Sequence, residues 1–118
     1  GVDDPARGPY RSKHMVLEKE VLQKLPREKF TLFLKHQPVV SKASLGLFDL
    51  QLSGHTHKGQ IFPFSLMTRL FYRMHTGLSR LNNNSRLYVS RGSGTWGPPI
   101  RFLAPPEVSI IDLVAPVK

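Results

Sequence analysis

Phe48-Asp49-Leu50-Gln51-Leu52-Ser53-Gly54-His55-Thr56-His57 alternates apolar and polar side chains over its first five residues, then breaks at a glycine into two histidines one residue apart. Alternation is the period of a strand with one face covered. A glycine after it lets the backbone turn sharply, through φ > 0 where needed, so that two imidazoles face one pocket. A second apolar run, Phe30-Thr31-Leu32-Phe33-Leu34, reads as a buried strand and ends in Lys35-His36-Gln37-Pro38. Further strands are expected over Arg86–Ser90 and Glu107–Leu113, with the Gly- and Pro-dense stretch Arg91–Pro106 as the loop between them. Leu17, Val21 and Leu25 recur every four residues in His14–Leu25, an amphipathic helix that Pro26 stops. Leu66, Leu70 and Met74 mark a short helix over Leu66–His75. Strands interleaved with helices make a layered α/β or α+β domain.

The chain has 118 residues, enough for one domain and hardly two, so 1–118 is read as a single domain segment. Hydrophobic residues are 40% and charged residues 21%, both near globular averages, so neither disorder nor a fibre is indicated. Cysteine is absent, so disulfides, thiolate zinc sites and a cysteine nucleophile are excluded. Uncharged stretches such as Gly59–Thr68 fall short of the roughly 18 apolar residues of a membrane span. The opening Gly1-Val2-Asp3-Asp4-Pro5 has no methionine, and the expectation is a piece of something longer.

The formal charge is +9, from 17 Lys plus Arg against 8 Asp plus Glu. Such a surplus favours anionic partners. The basic residues form no run of five or six, aromatics are not interleaved with them, and no helix-turn-helix or zinc-finger spacing appears. A dispersed, solvated basic face and a dedicated anion surface both remain open.

Of the five histidines, His36, His55 and His57 follow strands directly. Strand ends in layered α/β proteins present side chains to a ligand crevice, and imidazole nitrogen binds Zn, Fe, Mn or Ni. A His-x-His pair with a third strand-end histidine is therefore a candidate three-nitrogen metal site, against the plainer reading of three hydrogen-bonded structural histidines. His14 and His75 sit in helical patterns without partners and read as structural. Gly92-Ser93-Gly94 lacks the Gly-Lys-Ser/Thr of a phosphate loop, and Ser53 lacks a Gly-x-Ser-x-Gly elbow. Trp96, between Gly94 and Gly97, reads as a loop anchor.

Ser53-Gly54-His55-Thr56-His57 and Lys35-His36-Gln37-Pro38, each after a strand, resemble the last two metal motifs of the calcineurin-like metallophosphoesterases. Gly1-Val2-Asp3-Asp4-Pro5, Gly59-Gln60-Ile61-Phe62-Pro63-Phe64, Tyr88-Val89-Ser90-Arg91-Gly92 and Gly94-Thr95-Trp96-Gly97-Pro98-Pro99-Ile100-Arg101 resemble the bacterial YkuE/YaeI-like branch. The likeness covers almost the whole chain.

The resemblance implies an α/β fold, the C-terminal half of a four-layer α/β/β/α sandwich. The Asp-x-His, Gly-Asp-x-x-Asp and Gly-Asn-His-Asp/Glu motifs of the N-terminal half do not occur in these residues. Carried over by position, His36 and His55 bind one of two divalent metal ions (Mn, Fe, Zn or similar) and His57 binds the other. The remaining ligands and an acid-like catalytic histidine belong to the absent half. Lys58, where a glycine is common in this branch, and Arg101 are the candidate substrate-binding cations. The implied function is a metal-dependent phosphohydrolase acting on a phosphomonoester or phosphodiester. These residues by themselves are then expected to bind metal only partially and to be weak or inactive.

Ile61-Phe62-Pro63-Phe64 and Leu70-Phe71-Tyr72 beside Arg69 and Arg73 suit an anionic membrane surface, and with it a lipid-linked phosphate, against the plainer reading of packing on the rest of the enzyme. The expected setting in a bacterium is membrane-associated or cytoplasmic. Half a sandwich leaves sheet edges uncovered, so a homodimer or larger homo-oligomer is expected. No specific nucleic acid is expected. The alternative is a basic module that binds nucleic acid or anionic membrane without catalysis, its histidines structural.

Overall fold

Four short strands form one mixed sheet in a computed structural model that describes residues 18–72, 74–82 and 84–115. They are β1 (Leu32–Leu34), β2 (Leu50–Ser53), β3 (Gly77–Arg80) and β4 (Arg86–Val89), in the order β1-β2-β4-β3. β1, β2 and β4 run parallel, while β3 closes the far edge antiparallel to β4. Helices α1 (Glu18–Leu22) and α2 (Phe64–Phe71), with 3-10 turns at Lys42–Ser44 and His57–Gly59, complete an α/β fold.

Register decides what is covered. Phe33, Gln51 and Leu87 are aligned neighbours and so share one face of the sheet; their exposures are 3%, 0% and 0%. On that side Leu22 of α1 packs with Phe33 and Phe48, whose rings lie 5.6 Å apart. Burying each such side chain contributes about 1.5–3 kcal/mol. The opposite face presents Leu32 and Leu34 of β1 and Leu78 of β3, at 44%, 52% and 64% exposure.

Several expectations are corrected here. The strand expected to be buried over residues 30–34 is an edge strand in which only Phe33 is buried, because nothing among the described residues packs on its outer face. β2 begins two residues later than its alternating pattern and is covered on both faces. The first helix is described from Glu18 and ends at Leu22, giving way to Lys24 N–H→Val21 carbonyl and Leu25 N–H→Leu22 carbonyl turns before Pro26; His14 lies outside the described residues. The second helix starts at Phe64 and stops at Phe71, where Tyr72 turns extended. Glu107–Leu113 is not a strand: Glu107 and Ser109 turn to the Tyr88 hydroxyl at 2.7 and 2.6 Å, leaving Val108 and Ile110 exposed. β3 went unforeseen because Leu78 is its sole apolar residue.

Candidate metal centre

Parallel pairing brings the C-terminal ends of β1, β2 and β4 to one edge, and the ladder continues past the strands. The Lys35 N–H donates to Leu52 at 3.1 Å, Gly54 N–H to His36 at 3.0 Å, and Ser90 N–H to Ser53 at 2.8 Å. His36 is thereby carried alongside His55. His36 Nε2 and His55 Nδ1 lie 2.8 Å apart, their rings nearly perpendicular with centroids 4.7 Å apart. The Tyr72 ring meets His55 edge-on at 5.7 Å.

The residues around His36 are held on both sides. Lys35 is buried, its ammonium donating to Glu18 and to the Val39 carbonyl at 2.7 Å, while the Ser44 hydroxyl donates to Glu18 at 3.1 Å. A buried ammonium is tolerated only with such partners. On the other side Gln51 Nε2 donates to Ser53 Oγ at 2.9 Å, and that hydroxyl donates to the Gln37 carbonyl at 3.3 Å.

Left-handed backbone marks the turn, but at different residues from the expected one. Gly54 does not adopt positive φ; His55 (68°), His57 (45°), Lys58 (54°) and Gln60 (45°) do. Four non-glycine residues in that region within six positions store local strain, a feature of functional sites.

At 2.8 Å the two rings are in direct N–H···N hydrogen-bond contact. Two nitrogens about 2.0–2.1 Å from one ion would lie about 2.9 Å apart at right angles and about 3.3 Å apart at a tetrahedral angle, so the pair would have to open slightly to share a single ion. His57 does not complete a triad. Among the described residues no group of three or more His, Cys, Asp or Glu is placed to hold a metal ion. No carboxylate is available nearby in sequence either, since none occurs between Asp49 and Glu107. His57 lies against Gly92, where an added Cβ would be 3.8 Å from Nδ1, and that nitrogen is buried without a hydrogen-bond partner.

The two candidate cations differ. Lys58 is half-buried in the turn itself. Arg101 donates to the carbonyls of Ala104 (2.6 Å), Arg91 (2.9 Å), His57 (3.4 Å) and Gly94. Its guanidinium is committed to holding the 91–104 loop against the turn, so it positions rather than presents a fork to an anion. Lys58 and Arg69 also act on His75, whose imidazole is held below its ordinary pKa by burial first and then by those two charges. The backbone carbonyl of His75 accepts from the Thr56 hydroxyl at 2.8 Å.

Gln60 is the residue the sequence did not single out. Buried, it takes the Trp96 N–H on Oε1 at 2.5 Å and returns Nε2 to the carbonyls of Trp96 and Pro98 at 2.8 and 2.9 Å. The loop is therefore anchored by this amide, whereas the Trp96 ring, expected to be the anchor, is 78% exposed. A glutamine after glycine carries no signal for that role.

The relatives of this sequence agree on one class. It is 44% identical over 97 residues to an uncharacterised metallophosphoesterase of Helicobacter pylori strain J99, covering 80% of this chain and 26% of that protein. An Aquifex aeolicus metallophosphoesterase is 36% identical over 114 residues, 96% of this chain and 44% of the relative. Bacillus subtilis metallophosphoesterase YkuE is 36% identical over 96 residues, 78% of this chain and 34% of the relative. No family model matches the chain, and no solved structure matches significantly. The chain belongs to the metallophosphoesterases, a hydrolase family that takes divalent metal cofactors. It spans less than half the length of these relatives.

Proposed function

We propose that this chain supplies histidine ligands to the two-metal centre of a phosphate-ester hydrolase, as the part of a four-layer sandwich that carries the family's last two metal motifs. The single observation behind this is the His36–His55 nitrogen pair at 2.8 Å, on the strand-end edge where ligands bind in α/β sheets. His36 and His55 would hold one ion, and His57, with its unpartnered buried Nδ1, would serve the second once the missing carboxylates are supplied. Divalent ions, when bound, supply Lewis acidity toward the phosphoryl oxygens.

The chain's own groups suit an anionic ester. Imidazole ligands are neutral and leave the charge of an ion uncancelled. Lys58 in the turn adds positive charge beside the site, and Tyr72 braces the His55 ring. A phosphomonoester or phosphodiester is the substrate class, and a lipid-linked phosphate fits the apolar surface next to the site. The exposed outer sides of the two edge strands, Leu32 and Leu34 on β1 and Leu78 on β3, support the further proposal that residues 1–118 are one segment of a domain and self-associate when alone.

The test is Mn²⁺-dependent hydrolysis of bis(4-nitrophenyl) phosphate by a longer protein carrying this chain. Even outer partners of metal ligands cost about 10–100-fold when removed, so His55→Ala is expected to lose at least about a hundredfold. Unchanged turnover would overturn the proposal. The 118-residue chain alone is expected to show little or no turnover; turnover equal to the longer protein's would overturn that part.

A further inference from the structure

Helix α2 is built inside out. Ser65, Thr68 and Tyr72, at the i, i+3, i+7 spacing of one helical face, are its half-buried side chains along with the extended residue that ends it. Phe64, Leu66, Met67, Leu70 and Phe71 fill the other side, at 58%, 53%, 51%, 84% and 77% exposure. At 100° per residue, those five cover an arc of about 160°. A surface helix of a globular protein normally buries such an arc and exposes its hydroxyls. The orientation is fixed, because Gly59 abuts the backbone of Ser65 at one end of α2 and Tyr72 meets His55 at the other.

Charge decides what covers the arc. From Leu50 to Pro106 the sequence has no Asp or Glu and seven cations: Lys58, Arg69, Arg73, Arg80, Arg86, Arg91 and Arg101. A second copy docking through this face would set like charges together, which costs several kcal/mol at an interface. An anionic bilayer meets both features at once: it takes the apolar arc among its acyl chains, and Arg69, exposed on α2, with Lys58 of the adjoining turn among its phosphates. No helix among the described residues is long and apolar enough to cross a membrane. We infer that α2 lies in the headgroup layer of an anionic lipid bilayer, apolar arc inward, and sets the His36–His55 pair at the membrane surface.

The inference is independent of hydrolysis and is tested on a longer protein carrying this chain, stripped of metal, by co-sedimentation with vesicles of phosphatidylcholine alone or mixed with phosphatidylglycerol. Absence of binding there would assign the arc to packing within the domain and overturn the inference. Binding is expected to the mixed vesicles only and to weaken with salt. Leu70→Ser/Phe71→Ser and, separately, Phe64→Ser/Met67→Ser should each lower partitioning at least about tenfold, with an unchanged circular dichroism spectrum. Val108→Ser, equally exposed but outside α2, should change nothing. Three further results would overturn the inference: no preference for phosphatidylglycerol; both α2 variants binding as well as the parent; or a dimer that the α2 substitutions dissociate while vesicle binding stays absent. Binding to an RNA homopolymer but not to vesicles would likewise assign the basic surface to nucleic acid.

Discussion

A methyl group placed on Gly59 would lie 2.3 Å from the Cα of Ser65. That contact seats the first turn of α2 on bare backbone beside the histidine turn, at a residue whose φ is +77°. Gly59→Ala combines left-handed strain with a clash against main chain and is expected to cost about 2–4 kcal/mol. Gly54→Ala meets open space at a φ outside the left-handed region and is expected to cost under about 1 kcal/mol. Urea unfolding of the two variants checks this, and equal losses would refute the role given to Gly59.

Mn²⁺ or Zn²⁺ titration of the chain by calorimetry should register the nitrogen pair. His36→Ala and His55→Ala are each expected to weaken binding at least about tenfold, and the double variant to be little worse than either, because a pair acting as one unit is not additive. His75→Ala should leave it unchanged. A loss as large from His75→Ala would mean that any surface histidine suffices.

Lys35 and Glu18 form a buried ion pair with the Val39 carbonyl and Ser44 attached. Lys35→Ala strands the carboxylate and the carbonyl and is expected to cost about 3–5 kcal/mol. Lys35→Met combined with Glu18→Leu removes both charges and should recover most of that loss. Unfolding midpoints decide: if the double variant is less stable than Lys35→Ala, the pair stabilises more than its desolvation costs.

Glu107 gives a pH signature. The Tyr88 hydroxyl above all, then Ser109 and the Arg91 guanidinium 3.3 Å away, hold its carboxyl below the ordinary 4.5. The folded chain thus favours the carboxylate, so this contribution is present above pH 4.5 and is lost as pH falls through the lowered value. The Tm difference between parent and Glu107→Gln should shrink on acidification from pH 5. A difference that stays constant would remove Glu107 from the balance.

Much of this was readable from local pattern. The alternating run before Gly54 and the apolar run before His36 identify two strands; that these are parallel neighbours, which is what brings the histidines together, is set by the sheet and not by either run. What was not readable depends on the covering of each face. Glu107–Leu113 has strand composition, yet Tyr88 draws its polar residues inward and no ladder forms. Leu66 and Leu70 have the spacing of a buried helical stripe, yet they face outward, because the backbone of Phe64 and Ser65 is seated on Gly59 and turns Ser65 and Thr68 to the half-buried side. The left-handed angles of His55 and His57 replace the expected glycine hinge, since strain imposed by tertiary contacts leaves no mark on residue type.

Arg101 ties four carbonyls drawn from both ends of its loop and from the histidine turn. A scissile bond must straighten into a protease cleft before it is cut, and here straightening would undo all four ties at once. Trypsin should therefore nick the exposed turn containing Lys24 and Lys29 well before it cleaves after Arg101, making resistance at that one bond a digest-gel readout of whether the loop is knotted in place.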